Sequence, residues 1–479
     1  MKRFLSVALS SLLILLISVG CVDSEKTSSS STESSQTKPQ VTLTYSAWNL
    51  GPADSKTPNL DRLMIEAFME KYPHITVDII ERPKKPGETT DMAWNEFLSA
   101  RASVGKLPDV FFADNIPLYV INEWAYNITE IAHADSEYMN LSEDIRRPAT
   151  YDGKVMSLPQ AIHYFGYVIN KTLFEERNVD APTLESTFEE FTMAVKDAAD
   201  HSSGNRGVAG LQGIEHILHY YPGHLNTNLQ WWTHDGEKFN LDGVEFQEAV
   251  SKYLELATDK SFVMEALLPE EIEDFFPEGD QWENGNMLAR WVGSYEFGSM
   301  QTKLDEGTYT FEVDFIGTPV INGNKRVPIV ADFVTIASTT KHPEEAYLLA
   351  KWMGFGKDGY AKRIELSKTV SGVPKVNFAP LQADEELLNS YFELHSGFEG
   401  LRTIIESGTF IVEPPKYLPG YINARYQGSY DSEHNMFQIL DKVMKGEVLF
   451  ADIATQLNNR ANALYNEAKT QFEEALKNA

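Results

Sequence analysis

An alternation of strand and helix patterns behind Val41 is the feature that most restricts the fold. Residues 41–48 (VTLTYSAW) alternate as a strand, and apolar residues then recur at helical spacing behind Asn59, a candidate N-cap. Residues 75–79 (ITVDI) alternate as a second strand. A strand, helix, strand order favours parallel pairing with a right-handed crossover, so the sequence predicts an α/β fold.

Two candidate site residues stand where predicted strands end. Residues 109–113 (DVFFA) form a short apolar strand, as expected for a strand buried on both faces, and Asp114 and Asn115 follow it directly. Trp48 ends the first strand. Ligands of open α/β sheets lie off the carboxyl ends of the strands, so we expect Trp48 and Asp114 to face one crevice. Asp114 has an alternative interpretation as the cap of the segment that follows.

The pattern between residues 153 and about 315 predicts a second α/β layer. Residues 154–159, 167–170 and 287–293 (MLARWVG) have strand patterns, and Thr187 with Glu190 forms a candidate capping box. Further along, a helix is expected from Pro343 to near residue 354 and a long polar-faced helix from about residue 452 to 477.

Charge and cysteine content exclude several classes of protein. The chain has 41 basic and 70 acidic residues, a net charge of −29, which argues against nucleic acid or an anionic membrane surface as a partner. Its one cysteine, Cys21, excludes an internal disulfide and a cysteine-based zinc site. His216, His219 and His224 are spaced as candidate metal ligands, but a helix presenting all three must continue through residues 222–223, Pro and Gly. We expect no metal and no cofactor.

The first twenty residues have the layout of a signal peptide, with a basic head and an apolar run shorter than a membrane span. The leader resembles that of bacterial lipoproteins, in which the residue after the cleavage site is a lipidated cysteine, here Cys21. Ser18 stands where such leaders usually have Leu, Val or Ile. Residues 21–40 then read as a Ser-rich tether. The resemblance implies a lipid anchor on the extracytoplasmic face of the cell membrane; the alternative is a plain secretory signal with an incidental cysteine.

Six stretches in sequence resemble a known family, the sugar-binding extracellular solute-binding proteins of bacterial ABC importers, the class that includes maltose-binding protein. They are VTLTYSAW, FMEKYPHITVDI, FLSARASVGKLPDVFFAD, YDGKVMSLPQAIHYFGYVINKTLFEE, MLARWVGS and VADFVTIASTTKHPEEAYLLAKWM. The resemblance implies a two-lobed α/β fold of the type II periplasmic-binding-protein kind, with a ligand cleft between the lobes. It places lobe one at residues 41–147 plus 320–371, lobe two at 152–315 plus 378–479, and the hinge near 147–151 and 315–319.

Binding a neutral sugar requires aromatic faces for the rings and converging polar groups for the hydroxyls. The predicted ligand contacts combine strand ends and loops of both lobes, although a Trp is more often a core residue than a ligand platform. From lobe one they are Trp48, Asp114, Asn115, Asp332 and Phe333. From lobe two they are Tyr164, Trp231, Trp232, Trp291, Gly293 and Ser294, the last two with backbone amides as candidate donors.

The resemblance implies a monomeric binding protein that closes around a carbohydrate, an oligosaccharide, and delivers it to the permease subunits of an importer. An exported glycoside hydrolase is the main alternative, since the chain is rich in carboxylates, but its two facing carboxylates cannot be measured in a sequence. No HExxH, G-x-S-x-G or P-loop pattern supports catalysis, and we expect no enzyme. A surface-adhesion protein is a third alternative.

Overall fold

The computed structural model of the chain describes residues 38–52, 55–56, 58–85, 87–202 and 207–478, which form eleven strands and eighteen α-helices. The predicted signal peptide, Cys21 and most of the predicted tether lie outside these residues. The strands are β1 (Val41–Ser46), β2 (Ile75–Ile79), β3 (Val110–Ala113), β4 (Thr150–Tyr151), β5 (Lys154–Val155), β6 (Leu158–Asn170), β7 (Ala209–Gln212), β8 (Met287–Gly293), β9 (Val313–Gly317), β10 (Val327–Ile336) and β11 (Phe410–Glu413). The helices are α1 (Leu60–Lys71), α2 (Trp94–Ala102), α3 (Ile116–Ile121), α4 (Thr129–Ala134), α5 (Ser136–Asn140), α6 (Glu143–Arg146), α7 (Lys171–Glu176), α8 (Phe188–Ala198), α9 (Ile217–Leu225), α10 (Val244–Leu256), α11 (Pro269–Phe275), α12 (Phe297–Asp305), α13 (Pro343–Met353), α14 (Lys357–Thr369), α15 (Glu385–Leu394), α16 (Glu399–Ser407), α17 (Met436–Met444) and α18 (Phe450–Leu476).

Nine of the strands form one mixed sheet in the order β2-β1-β3-β10-β6-β8-β7, with β11 beside β10 and β9 beside β6. The strands β4 and β5 pair separately as an antiparallel ribbon. β1 pairs in parallel with both β2 and β3, which confirms the parallel pairing predicted from the opening strand, helix, strand order. β10 is antiparallel to β3 and to β6, so the two central strands run in opposite directions.

The two central strands, β6 and β10, join the two halves of the sheet. The first half contains β2, β1 and β3, and the second contains β8, β7 and β9. β6 pairs with β10 as far as Tyr164 and with β8 from Phe165 onward. The prediction of separate strands at 154–159 and 167–170 was therefore wrong, because residues 158–170 form one strand of 13 residues. Gly166 interrupts the apolar pattern for a packing reason, since a Cβ there would lie 2.4 Å from the backbone of Gly317. Residues 40–479 group as one compact unit.

Buried side chains form three clusters around this sheet. The first packs against β1, β2, β3 and the end of β10, while the second and third pack around β7, β8 and β9. The helix α18 contributes to two of them: Leu457 and Tyr465 belong to the second cluster, and Phe472 and Leu476 to the first. Residue boundaries for two lobes and a hinge stay a prediction.

Several helices begin where their capping residues predict. The Asn59 side chain accepts a hydrogen bond from the Arg62 N–H, and Thr187 with Glu190 forms the predicted capping box of α8. The predicted helix from Pro343 is confirmed as α13, which ends at Met353. Among the described residues, no helix combines the length and apolar character needed to span a bilayer.

Candidate functional site

A chain of polar side chains joins the two central strands. His163 on β6 and Asp332 on β10 lie with the imidazole Nε2 3.3 Å from the carboxylate Oδ2. Lys416, on the segment after β11, forms an ion pair with the other oxygen of Asp332. His163 Nδ1 lies 3.3 Å from the Ser294 hydroxyl, which accepts a hydrogen bond from the Tyr164 N–H. We term Lys416, Asp332, His163 and Ser294 the central polar chain.

The charges of the central polar chain balance each other. Burial alone would raise the pKa of Asp332, but the Lys416 ammonium and the His163 ring outweigh burial and hold that pKa below its ordinary value. Asp332 is therefore ionised at neutral pH. Removing either partner of a buried ion pair leaves a charge without compensation, so the pair fixes the segment that carries Lys416 against β10.

Trp48 presents an exposed aromatic face beside the central polar chain. It is 48% exposed and stacks on Phe112 with the ring centroids 4.5 Å apart. The Lys416 ammonium lies 5.6 Å from the Phe112 ring centroid, which connects this stack to the polar groups. A cavity of about 360 Å³ opens here, and Trp48, His163 and Asp332 line it. An aromatic face next to buried polar groups suits a ring that carries hydroxyls.

Asp114 and Asn115 lie at the end of β3 as predicted, but both are engaged. The Asp114 carboxylate accepts a hydrogen bond from the Tyr119 hydroxyl, and burial raises its pKa. The Asn115 side chain accepts a hydrogen bond from the Leu118 N–H, 3.2 Å away, and so caps α3. The cap that was considered for Asp114 is thus supplied by its neighbour.

A second group of rings lies on the other half of the sheet. Trp291 on β8 stacks on His216, with ring centroids 4.5 Å apart, and on Tyr220, 5.4 Å away. Trp231 packs 6.3 Å from Trp291. We term Trp291, His216, Tyr220 and Trp231 the aromatic group. Trp232 lies edge-on to Phe246, with ring centroids 5.3 Å apart, and 5.3 Å from His219.

A buried arginine packs against the aromatic group. Arg425, in a π-helical turn at residues 423–427, forms an ion pair with Glu413 and lies 5.7 Å from the Trp231 ring centroid. Burial would lower the pKa of Arg425, but the neighbouring Tyr421 hydroxyl and the Glu413 carboxylate keep it above the ordinary value. Sequence reasoning missed Arg425, Lys416 and His163. The only signal for Arg425 and Lys416 was the presence of two cations in the Pro-rich stretch of residues 413–426.

Phe165 on β6 connects the aromatic group to the central polar chain. Phe165 stacks on Trp291 with ring centroids 6.5 Å apart and meets Tyr295 at 6.0 Å. Tyr295 in turn lies edge-on to His163 at 5.9 Å. Ring and polar contacts therefore run without interruption from Trp48, through the central polar chain, to the aromatic group.

The remaining predicted site residues differ in how far they take part in these contacts. Phe333 is fully buried in the first core cluster, and Tyr164 is 6% exposed and packs against Phe410 in the third. Gly293 leaves room for the Tyr295 ring, since a Cβ there would lie 2.2 Å from it. Ser294 takes part through its hydroxyl in the central polar chain, as described above.

Buried polar atoms beside the aromatic group have no hydrogen-bond partner among the described residues. They include Nε1 of both Trp231 and Trp232 and Nδ1 of His219. Arg425 can only donate, so His219 Nε2, 3.3 Å from it, accepts. Burial and the Arg425 charge lower the pKa of His219 well below its ordinary value, so the neutral ring carries its proton on the unpartnered Nδ1. These N–H groups are buried and have no acceptor among the described residues.

The histidine spacing does not assemble a metal site in the described part of the chain. α9 does continue through Pro222 to Leu225, but His224 Nδ1 lies 2.9 Å from the Asn324 carbonyl oxygen, and its Nε2 lies 3.1 Å from the Thr318 hydroxyl. No group of three or more His, Cys, Asp or Glu side chains within the described ranges is placed to hold a metal ion.

Comparison with known proteins identifies the family. The family of bacterial extracellular solute-binding proteins matches residues 53–355, and the chain belongs to this family. No curated protein sequence matches the chain.

Solved structures share the fold at low sequence identity. An ABC substrate-binding protein from Listeria monocytogenes, in complex with cycloalternan, has a TM-score of 0.64 and 17% identity over 89% of this chain and 99% of its own. The GacH receptor of Streptomyces glaucescens, solved unliganded and with acarbose, has a TM-score of 0.63 and 15% identity over 89% and 99%. A cyclic alpha-maltosyl-1,6-maltose binding protein from Arthrobacter globiformis has a TM-score of 0.61 and 16% identity over 90% and 100%. The predicted class, a two-lobed α/β fold of periplasmic-binding-protein type, is confirmed.

Proposed function

We propose that this protein is the substrate-binding component of a bacterial ABC importer and that it captures an uncharged carbohydrate, an oligosaccharide, between its two lobes. The proposal includes a hinge near residues 147–151 and 315–319, closure of the lobes around the ligand, and delivery to permease subunits by a monomeric protein. It also includes a lipid anchor on Cys21 that keeps the protein at the outer face of the cell membrane. No cofactor or catalytic step is part of it.

The observation that carries the proposal is the uninterrupted line of contacts from Trp48 to Trp291. It combines aromatic faces at both ends with buried, balanced charges between them. A sugar needs this combination, because its C–H faces stack on rings while its hydroxyls exchange hydrogen bonds with fixed polar groups. The balanced Asp332 and Lys416 charges favour a ligand without net charge. The carbohydrates named for the three structural neighbours support the same ligand class.

Closure supplies the signal to the importer. A ligand that contacts both halves of the sheet stabilises the closed arrangement by the difference in its affinity for the two states. The central strands β6 and β10 belong to both halves, so a small change in their twist moves one half relative to the other. The closed form is then the shape that permease subunits recognise.

A thermal-shift panel of mono- and oligosaccharides on the full chain tests the proposal, because a ligand that binds only the folded state raises its Tm. Trp48→Ala is expected to weaken binding of the stabilising sugar at least tenfold, about 1.4 kcal/mol. Phe437→Ala is the matched control, since Phe437 is 50% exposed against 48% for Trp48 and lies outside the site. The control is expected to bind as the wild type does.

Two results would contradict the proposal. One is the absence of stabilisation by any sugar in the panel; the other is equal affinity in Trp48→Ala and Phe437→Ala. Release of reducing sugar from an oligosaccharide would instead support the glycoside hydrolase alternative.

A further inference from the structure

A second and larger cavity, of about 870 Å³, lies between α18 and the segment of residues 412–419. It is separate from the candidate site, because adjacent residues face opposite ways. Tyr417 lines this cavity, whereas its neighbour Lys416 binds Asp332. Gln230 lines the cavity, whereas its neighbour Trp231 belongs to the aromatic group. Residues 412–419 and the loop that carries Gln230 and Trp231 thus form a wall, with the candidate site on one side and the second cavity on the other.

The cavity is walled by aromatic rings from different parts of the fold. They are Tyr151 on β4, Tyr417 and, on α18, Tyr465 and Phe472. Tyr465 packs in the second core cluster and Phe472 in the first, so an occupant would contact both halves of the sheet. Four rings around a volume of this size provide the apolar faces that a ring ligand needs.

Three polar groups in this wall have unused hydrogen-bonding capacity. The hydroxyls of Tyr417 and Tyr465 make no hydrogen bond to any described residue, although Tyr465 is only 3% exposed. The Gln230 Oε1 accepts from the Val412 N–H at 2.8 Å and from Arg326 at 3.4 Å. This fixes the orientation of the amide and leaves its NH₂ group without an acceptor among the described residues. Two hydroxyls and an amide NH₂ group, all on residues that line this cavity, thus have no hydrogen-bond partner among the described residues.

Basic and acidic residues line the cavity in equal numbers. Three basic residues, Arg147, Lys469 and Lys477, and three acidic residues, Asp152, Asp235 and Glu473, line it. A strongly anionic or cationic ligand would gain from one set of these charges and lose to the other. The lining therefore favours a ligand without net charge.

We propose that this cavity is a second binding site and that its ligand is an uncharged saccharide unit. The rings of Tyr151, Tyr417, Tyr465 and Phe472 pack on the C–H faces of the sugar. The two free hydroxyls and the Gln230 amide exchange hydrogen bonds with its hydroxyl groups. Because the lining comes from both halves of the sheet, occupation of this site and of the candidate site change each other's affinity; this coupling rests on the proposed function.

The test fills the cavity from an exposed helix position. Lys469→Trp places an indole in the mouth of the cavity, and Asn466→Trp adds the same indole at an exposed position of α18 that does not line it. Tyr465→Phe removes one free hydroxyl without changing the packing. The full-length variants are titrated calorimetrically with glucose, maltose and maltotriose, and with benzyl alcohol as an apolar probe.

Wild type and Asn466→Trp are expected to bind at least one of these sugars with the same affinity at this site. Lys469→Trp should reduce that affinity at least tenfold, and Tyr465→Phe should reduce it severalfold. Trp48→Ala is expected to retain this binding, so failure of the proposed function and failure of the second site give different results. Equal isotherms for Lys469→Trp and Asn466→Trp with all three sugars would overturn the proposal. If benzyl alcohol binds, none of the three sugars does, and Lys469→Trp abolishes the binding of benzyl alcohol, the assignment of a saccharide as the ligand would be overturned.

Discussion

Lys416 and Asp332 form an ion pair in which the side chains are only 11% and 15% exposed. Asp332 lies on β10, which belongs to both halves of the sheet, and the Lys416 carbonyl oxygen accepts a hydrogen bond of 2.8 Å from the Ile116 N–H at the start of α3. The pair therefore ties the segment after β11 to the central strand and to the first half of the sheet at once. It also separates the two cavities.

Loss of Lys416 alone should destabilise the fold more than loss of the whole pair. Lys416→Met leaves the Asp332 carboxylate buried without a cation, which we expect to cost about 3–5 kcal/mol in the free energy of unfolding. Combining it with Asp332→Asn removes that charge and should recover a large part of the loss. Urea unfolding of both single variants and the double variant measures the coupling. Additive effects would contradict a direct interaction.

The sequence predicted Trp48 and Asp332 as members of this site, but not Lys416 or Arg425. Trp48 and Asp332 follow from strand positions and the family resemblance. Lys416 and Arg425 do not, because Lys416 lies 84 residues from Asp332 and Arg425 lies 206 residues from His219. Phe333 could have been excluded, since adjacent residues on a strand point to opposite faces and Asp332 already faces the site. The long central strand was missed because Gly166 resembles a break when its contact with Gly317 is unknown.

Gly213 should tolerate substitution far less than Gly236, although both have nearly the same positive φ angle. Their φ angles are +96° and +98°, but a Cβ at Gly213 would lie 2.3 Å from the Trp291 Cβ, whereas no atom of the described residues lies within 4 Å of one at Gly236. Gly236→Ala therefore has only the backbone cost, about 1 kcal/mol. Gly213→Ala must also displace Trp291 and should lose several kcal/mol more by chemical unfolding. Similar losses in both variants would show that Trp291 can move freely.

Arg326 should be a structural requirement of the second half of the sheet. Its guanidinium is buried and donates to the carbonyl oxygens of Gly223 at 2.5 Å, Leu229 at 2.9 Å and Phe410 at 2.7 Å. Lysine has one nitrogen and cannot reach three divergent acceptors, so Arg326→Lys should lose about 2–4 kcal/mol. Thermal unfolding compares it with Arg402→Lys, which changes a side chain that is 44% exposed and should alter the stability little.

The stability of the fold should fall as the pH drops below about 6.5, with His224 as one identifiable cause. Burial, together with the nearby Arg326 charge, lowers the pKa of His224 from 6.5 to about 4, despite the hydrogen bond to the Asn324 carbonyl. The unfolded chain therefore takes up this proton at higher pH than the folded chain does. The neutral His224 ring therefore makes its full contribution to stability above pH 6.5, the pKa of the ring in the unfolded chain. This contribution is lost as the pH falls from 6.5 to about 4, the pKa in the folded chain.

The His224 contribution can be isolated with a neutral variant. A shift of this size corresponds to about 3 kcal/mol at the acid end of the range, so wild type should lose that much more stability than His224→Gln on acidification. His133→Gln, at an exposed position, is the control and should follow the wild type. The measurement is urea unfolding at several pH values. Parallel losses in wild type and His224→Gln would contradict the prediction, because buried His234 and His395, whose pKa values burial also lowers to about 4, would then account for the whole effect.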